Sequence, residues 1–420
     1  MSLPIIKVQI GFQTTANFGT PFQLNDAVYG LLNTGTLGGV AFADVTQYVQ
    51  SVNITRGRSR QLQEFNAGTA TIALYNRTRI FDPLNTSSPY YNTSGNTTGI
   101  VPRLPIEVFA NGISIYSGII TDWNIDYDLA NNDMAYVSCA DNFTTLSSMT
   151  MNEHTTTAEL SSTRVNTVLD YAEVNYQGAR SIATGLSTLG GTAANAGFTI
   201  PAETNLLNYL QTITTSEQGY LFMSADGTLT FKGRSAVLNP TVEAAFDVDS
   251  AGIPFQTLQT QFGDELLYNY IVTQSPAGVA QIAQDATSIA QYQSQTYTDT
   301  NLLNSTTTEV AALGNYLLGR FKNPVLRFTG LTTQLLPLSD TEQNQCLNLD
   351  LTDVCTVKKY FVTGTPTSDT QTLIVTGISH NITPGSHIVS YTFESTDGNA
   401  YFTLNDAIFG TLSTTNLLSF

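Results

Sequence analysis

The stretch Gly68–Asn76 reads Gly-Thr-Ala-Thr-Ile-Ala-Leu-Tyr-Asn and places Ala70, Ile72 and Leu74 at every second position. Just upstream, Val52–Arg56 reads Val-Asn-Ile-Thr-Arg and alternates in the same way. Because successive side chains of a strand point to opposite faces, a period of two indicates a strand with one buried face. The two segments therefore predict neighbouring β-strands.

Further strand signals follow downstream. The runs Ile106–Phe109 and Ile113–Gly118 flank Asn111-Gly112, and Asn-Gly between alternating runs is typical of a β-hairpin. Trp123–Cys139 predicts two more strands across a turn at residues 131–133. We therefore expect residues 46–149 to form a first antiparallel β-domain resembling a small barrel, preceded by an N-terminal arm over residues 1–45.

The pattern changes after residue 149. Helical spacing in Ser161–Glu173 and Leu206–Ile213, followed by a hairpin turn at Ala225–Gly227, predicts a small α+β module over residues 150–235. We expect residues 184–197 to form a flexible loop within this module. A mixed segment over residues 236–324 then carries a predicted strand at residues 268–273 and a predicted helix at residues 307–321.

Alternation returns after Pro324. Four runs predict a second antiparallel barrel-like β-domain over residues 325–396, closed in part by the strand at residues 268–273: Val325–Leu335, Val354–Val362, Thr372–Ile378 and His387–Glu394. The fold class expected from the whole sequence is mainly β with α+β insertions.

The two ends of the chain repeat each other. Phe22–Gly30 (Phe-Gln-Leu-Asn-Asp-Ala-Val-Tyr-Gly) matches Phe402–Gly410 (Phe-Thr-Leu-Asn-Asp-Ala-Ile-Phe-Gly). The repeat predicts two docking strips, one in the arm and one in a C-terminal tail over residues 397–420. A chance match, or pairing of the two ends within one chain, is the alternative. The positions expected to carry the contacts are Phe22, Leu24, Asp26 and Gly30 in the first strip and Phe402, Leu404, Asp406 and Gly410 in the second.

The charge balance argues against one class of function. The 420 residues carry a formal charge of −17, with only 12% charged side chains, about half the usual ~25%. A free nucleic-acid binder needs a basic stripe, which this balance opposes. An acidic surface serves solubility, or a wall past which DNA slides without sticking.

The cysteine content and the N-terminal sequence indicate the compartment in which the chain folds. The 3 cysteines show no disulfide framework, the N-terminal sequence lacks a signal peptide, and no run approaches the ~20 apolar residues of a membrane span. We therefore expect folding in a cytoplasm, without disulfides and without stable membrane insertion.

Signatures of catalysis are missing from the sequence. It contains no nucleophile elbow, zinc-protease, phosphate-loop or dinucleotide motif, so we expect no enzyme, no cofactor and no metal. His380 and His387 flank a predicted turn with no cysteine or carboxylate at ligand spacing, and we expect surface histidines there. Two acidic pairs should be solvated on single strand faces: Asp126 with Asp128, and Asp247 with Asp249.

Arginines concentrate in one region. Arg56, Arg58 and Arg60 would share one strand face, and Arg77 and Arg79 follow closely. In a chain this acidic, such a stripe predicts either an acidic partner surface or an intrachain ion network, with DNA phosphate a third alternative.

An ordered set of segments resembles the minor tail proteins of long-tailed phages, in the class related to baseplate hubs. The segments are Asp44–Arg58, Phe65–Arg77, Phe81–Asn85, Leu207–Gln211, Glu217–Phe222, Ala225–Lys232 and Val375–Val389. The resemblance covers most of residues 44–396, and the order of the segments agrees with the domains predicted above.

That resemblance implies a structural virion protein of the tail tip or baseplate. Its hub would be a homotrimer in which two β-barrel domains per chain make a pseudo-six-fold ring. Such a ring adapts a six-fold tail ring to a trimeric central fibre or spike and lines a passage for phage DNA without binding it specifically. Three chains with two docking strips each would offer six equivalent strips to the six-fold neighbour.

Two other functions remain open at this point. A tail-tip carbohydrate-binding or cell-wall-degrading protein would need a groove lined by Trp123, tyrosines and paired acids. A receptor-binding protein would adsorb to cells as an isolated chain.

Overall fold

The structure, a computed structural model, describes residues 2–12, 42–93, 96–130, 132–191, 198–237, 241–248, 252–276, 278–396, 400–401 and 416–417. The named positions of both predicted docking strips lie outside the described residues. Residues 400–401 and 416–417 pair as two short parallel strands.

The described residues up to 147 contain mainly strands joined by turns and loops. Their elements are β1 Ile6–Ile10, β2 Ala43–Asp44, β3 Val49–Gly57, β4 Asn66–Tyr75, β5 Tyr91–Asn92, β6 Thr97–Thr98, β7 Pro105–Ala110, β8 Ile113–Asp126, β9 Met134–Ala140 and the short helix α1 Phe143–Ser147. The sequence predicts two strands within residues 113–126, whereas the structure has one. A register shift between Ile120 and Asp122 lets this strand continue past the irregularity.

The central part alternates helices with short strands. Its elements are β10 Thr150–Met151, β11 Glu159–Leu160, α2 Ser161–Leu169, β12 Arg180–Ile182, β13 Thr188–Leu189, β14 Thr204–Asn205, α3 Leu206–Glu217, β15 Tyr220–Met223 and β16 Leu229–Lys232. Both predicted helices and the hairpin are present. The described part of the predicted loop at residues 184–197 contains β13, which pairs with β11.

The remaining elements follow in chain order. They are β17 Val242–Asp247, β18 Thr257–Gln261, β19 Tyr270–Thr273, β20 Gln281–Gln284, α4 Ala286–Tyr292, β21 Thr296–Asp299, α5 Thr307–Phe321, β22 Arg327–Gln334, α6 Asp340–Asn348, β23 Val354–Tyr360, β24 Ser368–Thr383, β25 Ser386–Ser395, β26 Ala400–Tyr401 and β27 Asn416–Leu417. The α5 bounds match the sequence prediction, and the Thr306 hydroxyl caps the helix by accepting from the Glu309 amide at 3.2 Å.

One large sheet runs through both β regions. Its strand order is β18-β22-β25-β24-β3-β4-β9-β8-β7-β1-β2, and β23 joins β24 to β17. The expected fold class, mainly β with α+β insertions, is confirmed. The described strands close no barrel, because the edge of β3 that could complete a first barrel pairs with β24 of the second region. The domain boundaries stay predictions.

The strand at residues 268–273 belongs to another sheet. β19 pairs with β20 and β21 in a separate three-stranded sheet, so the prediction that it closes the second β region is wrong. The reason is its apolar face, where Ile271 packs with Leu317 and Phe321 of α5 in a satellite core. β17 and β18 extend the large sheet instead.

A single main core underlies the large sheet and the α+β module. Ile54, Ile72, Val137 and Val389, all at most 1% exposed, are among its residues. Cys139, Cys346 and Cys355 are buried and unpaired, as expected. Among the described helices, none has the length and apolar character that crossing a bilayer requires.

Candidate site at the junction of the two β regions

The two β regions meet where β3 pairs with β24. The register runs from Val52 opposite Ile382 to Gly57 opposite Gly377. Gly57 has a φ of +100°, and a Cβ there would lie 2.2 Å from the Thr376 carbonyl oxygen. Only glycine fits this backbone conformation and this close approach, so the junction depends on the Arg-Gly-Arg sequence that ends β3.

Arg56 ties the junction to the α+β module. Its side chain is buried and forms an ion pair with Asp350. The same guanidinium donates to the Met223 carbonyl at 3.4 Å, while the second Asp350 oxygen accepts from the Ala225 amide at 2.9 Å. Arg56 therefore connects β3, the segment before β23 and the β15–β16 turn.

Arg58 forms a second buried ion pair. It donates to Glu394 at 2.5 Å, and Tyr220 donates to the other Glu394 oxygen at 2.5 Å. The Arg58 guanidinium also lies over the Phe65 ring, 4.8 Å from its centroid. Burial opposes the charge of Glu394, yet Arg58 and Arg320 outweigh it and hold the pKa of this carboxyl below its usual value.

Arg60 pairs at the surface. Its side chain is 61% exposed and contacts Glu265. The prediction that Arg56, Arg58 and Arg60 share one strand face is wrong, because β3 ends at Gly57. Each of the three pairs with a carboxylate of its own chain, which supports the intrachain ion network. Contact of these arginines with a partner chain stays a prediction.

The other two arginines of the cluster lie apart from the junction. Arg79 pairs with Asp82 at 2.7 Å, and Arg77 donates to the Asn132 side chain at 2.6 Å.

The two hairpin histidines are not at the surface. His380 and His387 are 4% and 1% exposed, and His380 Nδ1 lies 3.1 Å from His387 Nε2. The prediction of surface histidines is wrong, because β24, which carries His380, and β25, which carries His387, are both interior strands of the large sheet and turn these side chains into the core. Burial lowers the pKa of both imidazoles, that of His387 to about 4.

Trp123 packs among aromatic rings, and the described members of the acidic pairs differ in exposure. Asp126 and Asp128 are exposed, as expected, and Asp247 is half-buried while Asp249 lies outside the described residues. The Trp123 ring packs 6.2 Å from that of Phe81, and its Nε1 donates to the Val101 carbonyl at 3.0 Å. Within the described ranges, no three histidine, cysteine or acidic side chains are placed to hold a metal ion.

Glu217 is a structural residue that the sequence reasoning missed. It ends α3 fully buried and accepts from the Ser161 hydroxyl at 2.8 Å and the Ser187 amide at 2.7 Å. It also accepts from the Leu186 amide at 3.1 Å. A lone glutamate at the end of an amphipathic helix gives no local signal of this role.

These features define a class of fold: a large sheet shared by two antiparallel β regions, with an α+β module inserted between them. A tail protein from Neisseria meningitidis MC58 has this fold, with a TM-score of 0.58 at 9% identity over 93% of this chain and 97% of that one. A 43 kDa tail protein of prophage MuSo2 from Shewanella oneidensis gives 0.54 at 11% identity, over 94% and 97%.

No protein-family model and no curated protein matches the sequence. The fold of phage tail proteins expected from the resemblance is confirmed by the solved structures. At these identities the likeness concerns the fold.

Proposed function

We propose that the chain is a structural virion protein of a phage tail tip, acting as the hub of the baseplate. The observation that carries the proposal is the match to the Neisseria tail protein over nearly the full length of both chains. The proposed role is mechanical and non-enzymatic.

In the proposed assembly three copies form a ring between a six-fold tail ring and a trimeric central fibre or spike. The shared sheet supports this role because it makes the two β regions of each chain one mechanical unit. The buried pairs Arg56–Asp350 and Arg58–Glu394 add cross-links within that unit. The formal charge of −17 suits a passage through which phage DNA moves without binding.

The repeated ends provide the proposed attachment to the six-fold neighbour. Each chain contributes the strips Phe22–Gly30 and Phe402–Gly410, so a trimer contributes six. Deleting residues 401–420 should weaken attachment to the neighbouring ring and leave the trimer intact.

The mass of the purified chain in solution is the decisive measurement. Light scattering or native mass spectrometry should give a trimer of the 45.4 kDa chain. A stable monomer over a wide concentration range overturns the hub. Normal tail assembly by the truncated chain overturns the role of the strips but not that of the trimer.

A further inference from the structure

A cavity lies beside the junction, and Arg60, Glu265 and Glu394 of the ion pairs described above form part of its lining. Its volume is about 330 Å³, and it opens between residues 59–63, the segment after β18, and strands β22 and β25. Small-molecule sites occupy roughly 300–1,000 Å³, so the space suits a ligand of about one sugar ring.

The charges around this cavity are unbalanced. Arg60 and Arg327 line it together with Glu265 and Glu394. Arg60 pairs with Glu265, and Glu394 is neutralised by Arg58. Arg320, which lies next to this cluster, adds another cation near Glu394. The four lining charges balance, and the excess of positive charge comes from Arg58 and Arg320 behind them, within a chain of charge −17.

Arg327 is the second cation of the lining. Its Nη1 donates only a long bond of 3.5 Å to the Val325 carbonyl. Among the described residues, none of the carboxylates lies within ion-pair distance of it. Burial and the nearby Arg320 lower the pKa of its guanidinium. A guanidinium fork of this kind matches a carboxylate in two parallel hydrogen bonds.

The rest of the lining is polar and aromatic. Gln63, Gln261, Thr329 and Thr392 bring amide and hydroxyl groups to the cavity. The Tyr268 and Tyr297 rings, 5.4 Å apart between centroids, form one wall. Amides and hydroxyls suit a ligand with many hydroxyl groups, and a tyrosine wall suits the apolar face of a sugar ring.

We infer that this cavity binds a single acidic sugar residue, with its carboxylate on Arg327 and its ring against Tyr268 and Tyr297. The inference rests on the cavity and its charges and is independent of the tail-tip proposal. An acidic peptide side chain would use Arg327 but not the polar groups around it. Glucuronate is therefore the probe that uses the whole site.

The test is a titration of the purified full-length chain with glucuronate, followed by ligand-observed NMR and calorimetry. Glucose, acetate and a short glutamate peptide are the comparison ligands. Glucuronate should bind best. Glucose, which lacks the carboxylate, and acetate, which lacks the sugar ring, should each bind about tenfold more weakly or worse.

Substitutions of Arg327 test whether glucuronate binds in the cavity. Arg327→Gln should weaken glucuronate binding about tenfold or more, and Arg327→Lys should fall between it and the parent chain. Arg77→Gln, an exposed arginine outside the cavity, is the matched control and should bind like the parent. Circular dichroism melting confirms that each variant is folded.

Three results would overturn the inference. The first is no detectable glucuronate binding by the folded parent chain, and the second is equal binding by the folded Arg327→Gln variant. The third is a preference for the glutamate peptide over glucuronate, which would assign the cavity to an acidic segment of a protein partner. None of these results bears on whether the chain forms a trimer.

Discussion

His380 Nδ1 and His387 Nε2 lie 3.1 Å apart in the interior of the large sheet, on adjacent strands of one hairpin. One imidazole must donate to the other, and because burial lowers the pKa of both, the pair is neutral near pH 7. His387 Nδ1 is buried without a hydrogen-bond partner. The folded state therefore binds fewer protons at this pair than the unfolded chain does.

Acid should destabilise the protein through this pair. The unfolded histidines take up protons below their ordinary pKa of 6.5, whereas in the folded state His387 does so only near pH 4. Stability contributed by the neutral pair is present above pH ~6.5 and falls as pH drops, by about 1.4 kcal/mol per pH unit for each histidine. Urea unfolding at pH 7.5 and pH 5.5 measures this loss.

The control for this prediction must account for Asp141. Burial raises the pKa of that carboxyl to about 6, so its contribution changes with the opposite sign over part of the same range. The comparison is therefore between the parent and His380→Leu/His387→Leu, in which Asp141 is retained. The double variant should lose less stability between pH 7.5 and 5.5. An equal loss in both chains would assign the pH dependence elsewhere.

The buried pair of Arg58 and Glu394 should matter far more than the exposed pair of Arg60 and Glu265. The Arg58 and Glu394 side chains are 9% and 1% exposed, so Glu394→Gln leaves a buried cation without its counter-charge. We expect a loss of about 3–5 kcal/mol. Arg60→Met removes an exposed pair and should cost at most ~1 kcal/mol.

A double-mutant cycle with Arg58→Met measures the coupling in the buried pair. The double variant should be less destabilised than the sum of the two single variants, since it leaves neither member of this pair facing a missing partner. Additive losses in urea unfolding, or a Glu394→Gln cost no larger than that of Arg60→Met, would contradict this assignment.

Local patterns predicted the elements that depend on near neighbours. The Asn111-Gly112 turn is the clearest case, since φ values of +52° and +78° are what its residue types allow. The α5 helix is another, because one face of its sequence repeats at helical spacing. In both, the residues that determine the structure lie within a few positions of each other.

Long-range pairing was not predictable from these patterns. Nothing in Val49–Gly57 indicates that its free edge will pair with Ser368–Thr383, and this pairing both prevents barrel closure and buries His380. The same limit applies to Tyr270–Thr273, whose alternation fits either sheet. For the arginines, residue type and clustering are compatible with either a partner surface or an internal ion network. The positions of Asp350 and Glu394 in the structure show which ion pairs form.

Glu217 should be essential for the α+β module. Glu217→Ala would leave the Leu186 and Ser187 amides and the Ser161 hydroxyl without their shared acceptor, at about 1–3 kcal/mol for each buried group left unsatisfied. Glu203→Ala removes an exposed glutamate of the same α+β module and is the control. Limited proteolysis should cut the Glu217→Ala module sooner, and equal cutting rates would show that the carboxylate is dispensable.

Gly57 should determine whether the two β regions stay joined. In Gly57→Ala the new methyl group would meet the Thr376 carbonyl oxygen at 2.2 Å and the Gly377 Cα at 2.8 Å, at a φ of +100°. Both contacts are backbone, so β3 and β24 must separate locally, and we expect a loss of at least ~1–3 kcal/mol. Gly385→Ala, where a Cβ meets nothing within 4 Å, is the matched control and should be nearly neutral.

Hydrogen exchange distinguishes local separation from general unfolding. In Gly57→Ala the amides of residues 52–58 and 377–382 should exchange faster, while those of β7 and β8 keep their protection. Unchanged protection across β3 and β24 would mean that the sheet does not depend on this glycine.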